Sequence, residues 1–272
     1  MQSYENNQNI SEIIVTEDFP ASCFKDCKNL RKVIITEGIK NIPAFAFRAS
    51  GLEEVALPQS ITTIGEYAFE NCRNIKTIEL PKDIIKIGEG AFYGCHSLEK
   101  INNIESVKII EAGAFCGCRS LKNVVLDDEI EELKEYTFAC CTNLQKIVLP
   151  KSLRKISKHC FHFCESLEEI NLPEYTQIID SYAFSSCCEI KNVNIAKRVE
   201  QMGNYIFEDC IKLEQVVLPK SLKTVGKRLF IGCDNLKSVV IQSNIDITRG
   251  LSEEEKKLLL IKEIVCDKKS II

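Results

Sequence analysis

The residues of this chain that offer the most chemistry are its fifteen cysteines and three histidines. The densest group is the run from His159 to Cys164, where two histidines and two cysteines provide the ligand types that zinc prefers. The paired C-x-x-C spacing of zinc-binding domains is missing from this run. The spacing therefore favours structural residues over a metal site, and no motif in the sequence predicts a bound cofactor.

Most cysteines follow a regular spacing that decides how they are interpreted. Nine lie three residues after a phenylalanine, and these phenylalanines recur every 23 residues, with a single step of 22 from Phe47 to Phe69. The repeating phenylalanines are Phe24, Phe47, Phe69, Phe92, Phe115, Phe138, Phe161, Phe184, Phe207 and Phe230, and the cysteines are Cys27, Cys72, Cys95, Cys118, Cys141, Cys164, Cys187, Cys210 and Cys233. Stacked copies point their side chains the same way, which suits a small buried thiol better than a disulfide.

Six cysteines lie outside this ladder, and their number favours a reducing compartment. They are Cys23, Cys116, Cys140, Cys160, Cys188 and Cys266.

Catalytic motifs are not evident. The run from Gly88 to Gly94 has the wrong spacing for a phosphate-binding loop, and neither a G-x-S-x-G nor a Walker sequence occurs. With only His96, His159 and His162 as histidine bases, a nucleophile–histidine pair would depend on chance proximity. The sequence predicts that the protein is not an enzyme.

The elements that position these residues follow from the repeat F-x-x-C-x-x-L-x-x-[VI]-x-[LI]-P-x-x-[LI]-x-x-[IL]-x-x-x-A-F. Apolar residues alternate from Lys146 to Leu149, which predicts a strand that Pro150 ends. Apolar residues three apart in 152–160 predict a 3₁₀-like or irregular return. Because one coil cannot bury its own apolar residues, the coils must stack. Their ten strands are expected to line up side by side as a parallel sheet roughly 45 Å across.

This pattern predicts a repeat solenoid of ten coils over residues 10–242. Ile13 to Val15 align with Val33 to Ile35 as a shortened first coil. Asn103 interrupts an apolar column, and Ile104 is expected to take the inward position in its place. Residues 1–9 are expected to be flexible, and residues 243–272 to form a C-terminal cap with a helix at about 251–265, which starts with capping-box spacing at Ser252 and Glu255.

The string from Ala68 to Pro81, A-F-x-x-C-x-x-I-x-x-I-x-L-P, resembles the BspA-type leucine-rich repeat over about residues 10–242. The fold expected is a leucine-rich-repeat solenoid, a right-handed coil of about ten 23-residue repeats with short parallel strands on the concave face and irregular or 3₁₀ turns on the convex face. Members of that family are typically surface-associated proteins of bacteria and of parasitic or commensal protists, and several are linked to adhesion. The resemblance implies a recognition role and no catalytic residues.

Several classes of partner are excluded or left open by composition. The net charge of −4, from 35 basic and 39 acidic residues, does not favour a nucleic-acid partner. No run approaches 18 apolar residues, so no membrane span is predicted, and the first residues lack the features of a secretory signal. The resemblance favours the cell surface or secretion, whereas the thiol content favours the cytoplasm.

The remaining candidate site is the outward side of the strands, where residue types vary from coil to coil. It is predicted to contact a protein ligand through a set of twelve positions, although an idle solvated face remains the alternative. These are Lys100, Asn102, Asn123, Val125, Lys146, Val148, Glu169, Asn171, Asn192, Asn194, Gln215 and Val217. The function predicted is a non-catalytic surface or adhesion module, and the alternative is an intracellular scaffold or adaptor that docks partner proteins.

Overall fold

Short strands recur along the chain with the period of the sequence repeat. The computed structural model describes residues 3–242, together with Glu253 and Lys256. Its strands are, in chain order, β1 (Glu12–Val15), β2 (Lys32–Ile35), β3 (Asn41–Ile42), β4 (Glu54–Ala56), β5 (Thr63–Ile64), β6 (Thr77–Glu79), β7 (Lys86–Ile87), β8 (Lys100–Asn102), β9 (Ile109–Ile110), β10 (Asn123–Val125), β11 (Glu132–Leu133), β12 (Lys146–Val148), β13 (Lys155–Ile156), β14 (Ile178–Ile179), β15 (Asn192–Asn194), β16 (Gln201–Met202), β17 (Gln215–Leu218), β18 (Thr224–Val225) and β19 (Ser238–Ile241).

The register of the strands is parallel and follows the repeat. Asn123 pairs with Lys146 and Val125 with Val148, so partners are one repeat of 23 residues apart. Ile13 pairs with Val33, which confirms the predicted alignment of the shortened first coil. The chain is therefore a parallel β-solenoid of about ten turns, with strands of three or four residues on one side and two-residue strands on another.

The strands pair in parallel, as predicted, but they do not form a single ten-stranded sheet, because the longer strands form four separate pieces. These are β1-β2-β4, β6-β8, β10-β12 and β15-β17-β19. Between β8 and β10, Asn103 adopts φ 62° and opens a 3₁₀ turn at Ile104–Ser106 that replaces regular pairing. Ile104 is buried there, which confirms its expected inward position. Between β12 and β15 the coil that contains Ile170 forms no strand, although Ile170 itself is buried.

The ten repeating phenylalanines, called here the core phenylalanines, form a stack that runs through all the coils. Successive rings lie between 5.2 Å (Phe47 to Phe69) and 5.9 Å (Phe207 to Phe230) apart, with nearly parallel planes. The backbone amides of these residues also link adjacent coils. The N–H of Phe47, for example, donates to the carbonyl of Ala68 in the next coil over 2.8 Å. This hydrogen bond recurs at all nine steps from Phe24 to Phe230. Stacking thus buries rings that a single coil would expose.

The cysteine ladder is buried, as predicted, but its thiols also have a specific role that the sequence did not suggest. Cys95 donates a hydrogen bond to the carbonyl of Phe69, 3.1 Å away in the preceding coil. Cys141 does the same to Phe115 over 3.2 Å. The contact recurs up to Cys233, which donates to Phe207 over 2.9 Å. Cysteine is therefore a small core residue that also gives a buried carbonyl a second hydrogen bond, beside the one from a backbone N–H of the same coil as the carbonyl.

The two ends of the solenoid differ in what is described. Within residues 1–9, Tyr4 stacks on Phe24 at 5.6 Å, and its carbonyl accepts a hydrogen bond from Cys27. Tyr4 therefore extends the aromatic stack by one ring and covers the first coil. The helix predicted at about 251–265 lies outside the described residues, apart from Glu253 and Lys256.

Candidate binding surfaces

The outward side of the longer strands and of the equivalent segment 169–171 is called here the strand face. Ten of the twelve predicted contact positions are exposed on it, while Asn102 and Val217 are half-buried. The residues between them point inward, so Val124, Ile147 and Val193 are buried. This alternation is what a strand with one packed face requires. Val125 and Val148, paired side by side, are 49% and 45% exposed and form a small apolar patch.

The break between β8 and β10 opens a first strand-face cleft of about 530 Å³. It is lined by four of the predicted positions, Lys100, Asn102, Asn123 and Val125, together with Glu79, Glu99, Ile101, Asn103, Ile104, Glu105 and Lys122. On one wall Glu79 accepts hydrogen bonds from Asn102, at 2.6 Å, and from Asn103, at 3.2 Å. On the other wall Lys122 pairs with Glu99 at 3.1 Å. The cleft therefore presents fixed amide and charged groups around an apolar floor.

A second strand-face cleft, of about 320 Å³, lies where the coil of Ile170 forms no strand. Its lining includes four more predicted positions, and the complete set is Glu168, Glu169, Ile170, Asn171, Lys191, Asn192 and Asn194. Eight of the twelve predicted positions thus line the two clefts, four in each. The sequence did not predict either cleft, although Asn103 marked the position of the first.

A different surface carries an aromatic column that the sequence analysis missed. It is formed by the residues two positions before the core phenylalanines and is called here the turn face. From the second coil onward its members are Phe45, Tyr67, Gly90, Gly113, Tyr136, His159, Tyr182, Tyr205 and Arg228, all with positive φ. The rings of Tyr136, His159, Tyr182 and Tyr205 stack in sequence at 4.7 Å per step. A column of aromatic residues at the repeat spacing was the signal available in the sequence.

Where glycine replaces two of these rings, the turn face has a cleft of about 550 Å³. This turn-face cleft is lined by Tyr67, Glu89, Gly90, Tyr93, Ala112, Gly113, Cys116, Glu135, Tyr136, Ala139, Cys140 and His162. Gly88, in the glycine-rich run, lies outside the lining and is needed for packing, since a Cβ there would meet the Glu66 nitrogen at 2.7 Å. Close packing therefore explains the glycine at position 88.

Two half-buried thiols in the turn-face cleft differ in acidity. The hydrogen bond with the Cys116 side chain and, to a smaller extent, the charge of the nearby Arg119 lower the pKa of Cys140 to about 6, against the opposing effect of burial. The pKa of Cys116 is raised by the same hydrogen bond and by burial. Cys140 is therefore the more acidic thiol of the pair.

The histidine and cysteine run at 159–164 is spread over several environments. Cys160 and Cys164 are buried in the core, whereas His159 stacks between Tyr136 and Tyr182. Burial lowers the pKa of both His159 and His162. Within residues 3–242, Glu253 and Lys256, no group of three or more His, Cys, Asp or Glu side chains is arranged to hold a metal ion.

Comparison with known proteins supports the repeat assignment. A family profile described as BspA type leucine-rich repeat region, in six copies, matches residues 17–145 and 131–252. Among curated proteins, none matches the chain.

In the part of the chain that is described, no helix has the length and apolar character needed to cross a membrane.

Three solved structures share the fold. A leucine-rich repeat protein from Eubacterium ventriosum has 21% identity and a TM-score of 0.59, covering 88% of this chain and 76% of its own. The pneumococcal vaccine antigen PcpA has 20% identity and a TM-score of 0.56, covering 95% and 79%. The leucine-rich repeat protein of T. pallidum has 26% identity and a TM-score of 0.51, covering 75% and 91%.

Proposed function

The chain belongs to the BspA-type leucine-rich repeat family, and from that premise we propose that it is a non-catalytic protein-binding module that engages its partner through the strand face. The observation that carries this proposal is the placement of eight of the twelve variable strand positions in two clefts at breaks of the sheet. The buried columns repeat in nearly every coil because packing fixes their residue types. Packing does not fix the exposed positions, so their residue types can differ to suit a partner.

The chemistry of the strand face suits a protein ligand. Val125 lines the first cleft and pairs with Val148, which lies outside both clefts and extends the apolar patch. The amides of Asn123 and Asn192 line the first and the second cleft. A small apolar centre with a polar rim is the usual composition of a protein interface. The footprint we propose is the full set of twelve positions, with Lys146 between the clefts and Gln215 and Val217 beyond the second.

We infer a surface or secreted recognition role from the family and from the likeness to bacterial leucine-rich repeat proteins, one of which is described as a vaccine antigen. One observation favours the alternative, an intracellular scaffold. Twelve cysteines of the described residues, those from Cys27 to Cys210, are free thiols. Free thiols are typical of a reducing compartment.

Site-specific photo-crosslinking in the native cell tests the strand-face proposal. A photoreactive residue at Asn123 or at Asn192 is expected to give the same discrete adduct, because both positions border the clefts. The matched control is Lys151, which is highly exposed away from the strand face. Equal adducts from Lys151 and Asn123 would contradict the proposal. Labelling of intact cells with an impermeant amine reagent separates the two locations, since protection supports the scaffold and modification supports the surface role.

A further inference from the structure

The aromatic column of the turn face is interrupted at one point, and the interruption has a defined shape. On one side the stack from Tyr205 to Tyr136 ends at the Tyr136 ring, which is 43% exposed. On the other side Tyr67 leans over Gly90, since a Cβ at Gly90 would lie 2.3 Å from the Tyr67 Cε1 atom. At Gly113 a Cβ would meet no atom within 4 Å. The column is therefore open for one planar group, beside Tyr136 and above Gly113.

The charge around this opening is negative. Among the twelve residues that line the turn-face cleft, Glu89 and Glu135 are the only carboxylates and Cys140 is a third acidic group, while Arg119 lies near Cys140 outside the lining. In the part of the chain that is described, neither glutamate forms an ion pair; Glu89 accepts a hydrogen bond from the Tyr67 hydroxyl at 2.7 Å. Burial lowers the pKa of His162, so this side chain adds no positive charge at neutral pH. Two carboxylates beside aromatic rings favour an organic cation.

The same column shows which cation its geometry accepts. Arg228 occupies the equivalent position two residues before Phe230, and its guanidinium carbon lies 5.8 Å from the centre of the Tyr205 ring. Its Nη1 atom donates to the Tyr205 hydroxyl at 3.0 Å. A guanidinium therefore already takes the place of a ring at the far end of the stack. It is planar, so it stacks as well as carrying charge, and it pairs with carboxylates through several donors.

We propose that the turn-face cleft binds the guanidinium group of an arginine side chain from a partner protein, stacked on Tyr136 above Gly113 and paired with Glu89 and Glu135. The cleft contains no lysine or arginine that would hold the carboxylate of free arginine. An arginine within a polypeptide, whose α-carboxylate is an amide, avoids repulsion from the two glutamates. This site lies on a different surface from the strand face, so it does not depend on the function proposed above.

Calorimetric titration of the whole protein with N-acetyl-arginine amide tests the proposal. The deciding variant is Gly113→Tyr, which completes the column and should weaken binding by at least about tenfold, or 1.4 kcal/mol. Tyrosine is compatible with the backbone here, because Tyr136 and Gly113 have φ of 58° and 61°. Gly113→Ala is the matched control, since it imposes a similar backbone cost but leaves the opening and should bind like the wild type.

Two further comparisons identify the recognised chemistry. The neutral, planar citrulline analogue and the charged, non-planar lysine analogue should each bind about tenfold more weakly than the arginine probe. Glu135→Gln should weaken arginine binding several-fold, whereas Glu169→Gln on the strand face should not change it. Free arginine should bind no more tightly than the amide. The proposal is overturned if the wild type shows no saturable binding, if Gly113→Tyr binds as tightly as Gly113→Ala, or if citrulline binds as well as arginine.

Discussion

The turn side and the strand side of the solenoid obey the same repeat but differ in how strictly they keep it. On the turn side, the hydrogen bond from each core phenylalanine to the next coil recurs at every step, and the buried rings stack without interruption. On the strand side, the sheet is divided into four pieces and opens two clefts. The buried rings and hydrogen bonds of the turn side therefore keep the coils in register. The strand side can lose regular pairing at some coils without disturbing that register.

This difference explains where residue identity is constrained. A core phenylalanine contacts a ring above and a ring below, so a change in one coil disturbs two neighbours. A strand-face residue such as Val148 is largely open to solvent and lies beside Val125 of the neighbouring strand. The contrast leads to five predictions, which begin with the change that should separate the two sides most.

Phe138→Ala should lower the free energy of unfolding by about 3–5 kcal/mol, because it deletes a fully buried ring between Phe115 and Phe161. Urea unfolding followed by circular dichroism measures the loss. If the variant unfolds at the wild-type midpoint, the phenylalanine stack does not maintain the solenoid and the comparison fails.

Cys141→Ala should cost about 1–3 kcal/mol, since it removes a packed sulfur atom and one of the two hydrogen bonds that the Phe115 carbonyl accepts, the other coming from the Cys118 N–H. The same unfolding measurement applies. Cys141→Ser is the control, because serine occurs naturally at the equivalent position of the second coil, as Ser50. It keeps a hydrogen-bond donor, so it should cost less than Cys141→Ala. The reverse order would mean that the thiol acts through its volume alone.

Cys140 and Cys141 are adjacent in sequence but lie on opposite sides of the boundary between surface and core. The pKa of Cys140 is lowered to about 6, so its thiolate should predominate above that pH and disappear below it, whereas burial raises the pKa of Cys141. Alkylation at pH 7, followed by peptide mass spectrometry, should modify Cys140 several-fold faster than an ordinary thiol, after allowing for the lower nucleophilicity of a more acidic thiolate. Cys141 should be protected.

The origin of this acidity can be tested separately. Cys116→Ala removes the hydrogen bond to Cys140, so the midpoint of the pH–rate profile should move up toward 9.0, the ordinary value for cysteine. An unchanged midpoint would show that Arg119 alone sets the pKa of Cys140.

Val148→Ala should change the free energy of unfolding by no more than about 0.5 kcal/mol, because the side chain is 45% exposed on the strand face. Ile147→Ala, one residue earlier and buried, is the matched control and should cost several times more. Equal losses at the two positions would show that the inward and outward sides of β12 are assigned the wrong way round.

The sequence predicted the strand register and the core columns because each depends on contacts that repeat every 23 residues. Ten copies of one pattern report the same environment ten times, so Phe, Cys, Leu and Val positions could be assigned without coordinates. Ile104 is an instructive case, since one polar residue in an apolar column, Asn103, was enough to predict the local exchange.

The sequence alone determined the solenoid, its parallel register and which strand residues face outward. The reason is that each coil packs on its neighbours, so the buried residue types recur at a fixed spacing. The tertiary structure alone decided where the sheet breaks, that ladder thiols donate to carbonyls, and that the Tyr67 ring covers Gly90 but leaves Gly113 open. These features depend on how one coil departs from its neighbours. A shared repeat describes what the coils have in common, so their departures become visible only when adjacent coils are placed against each other.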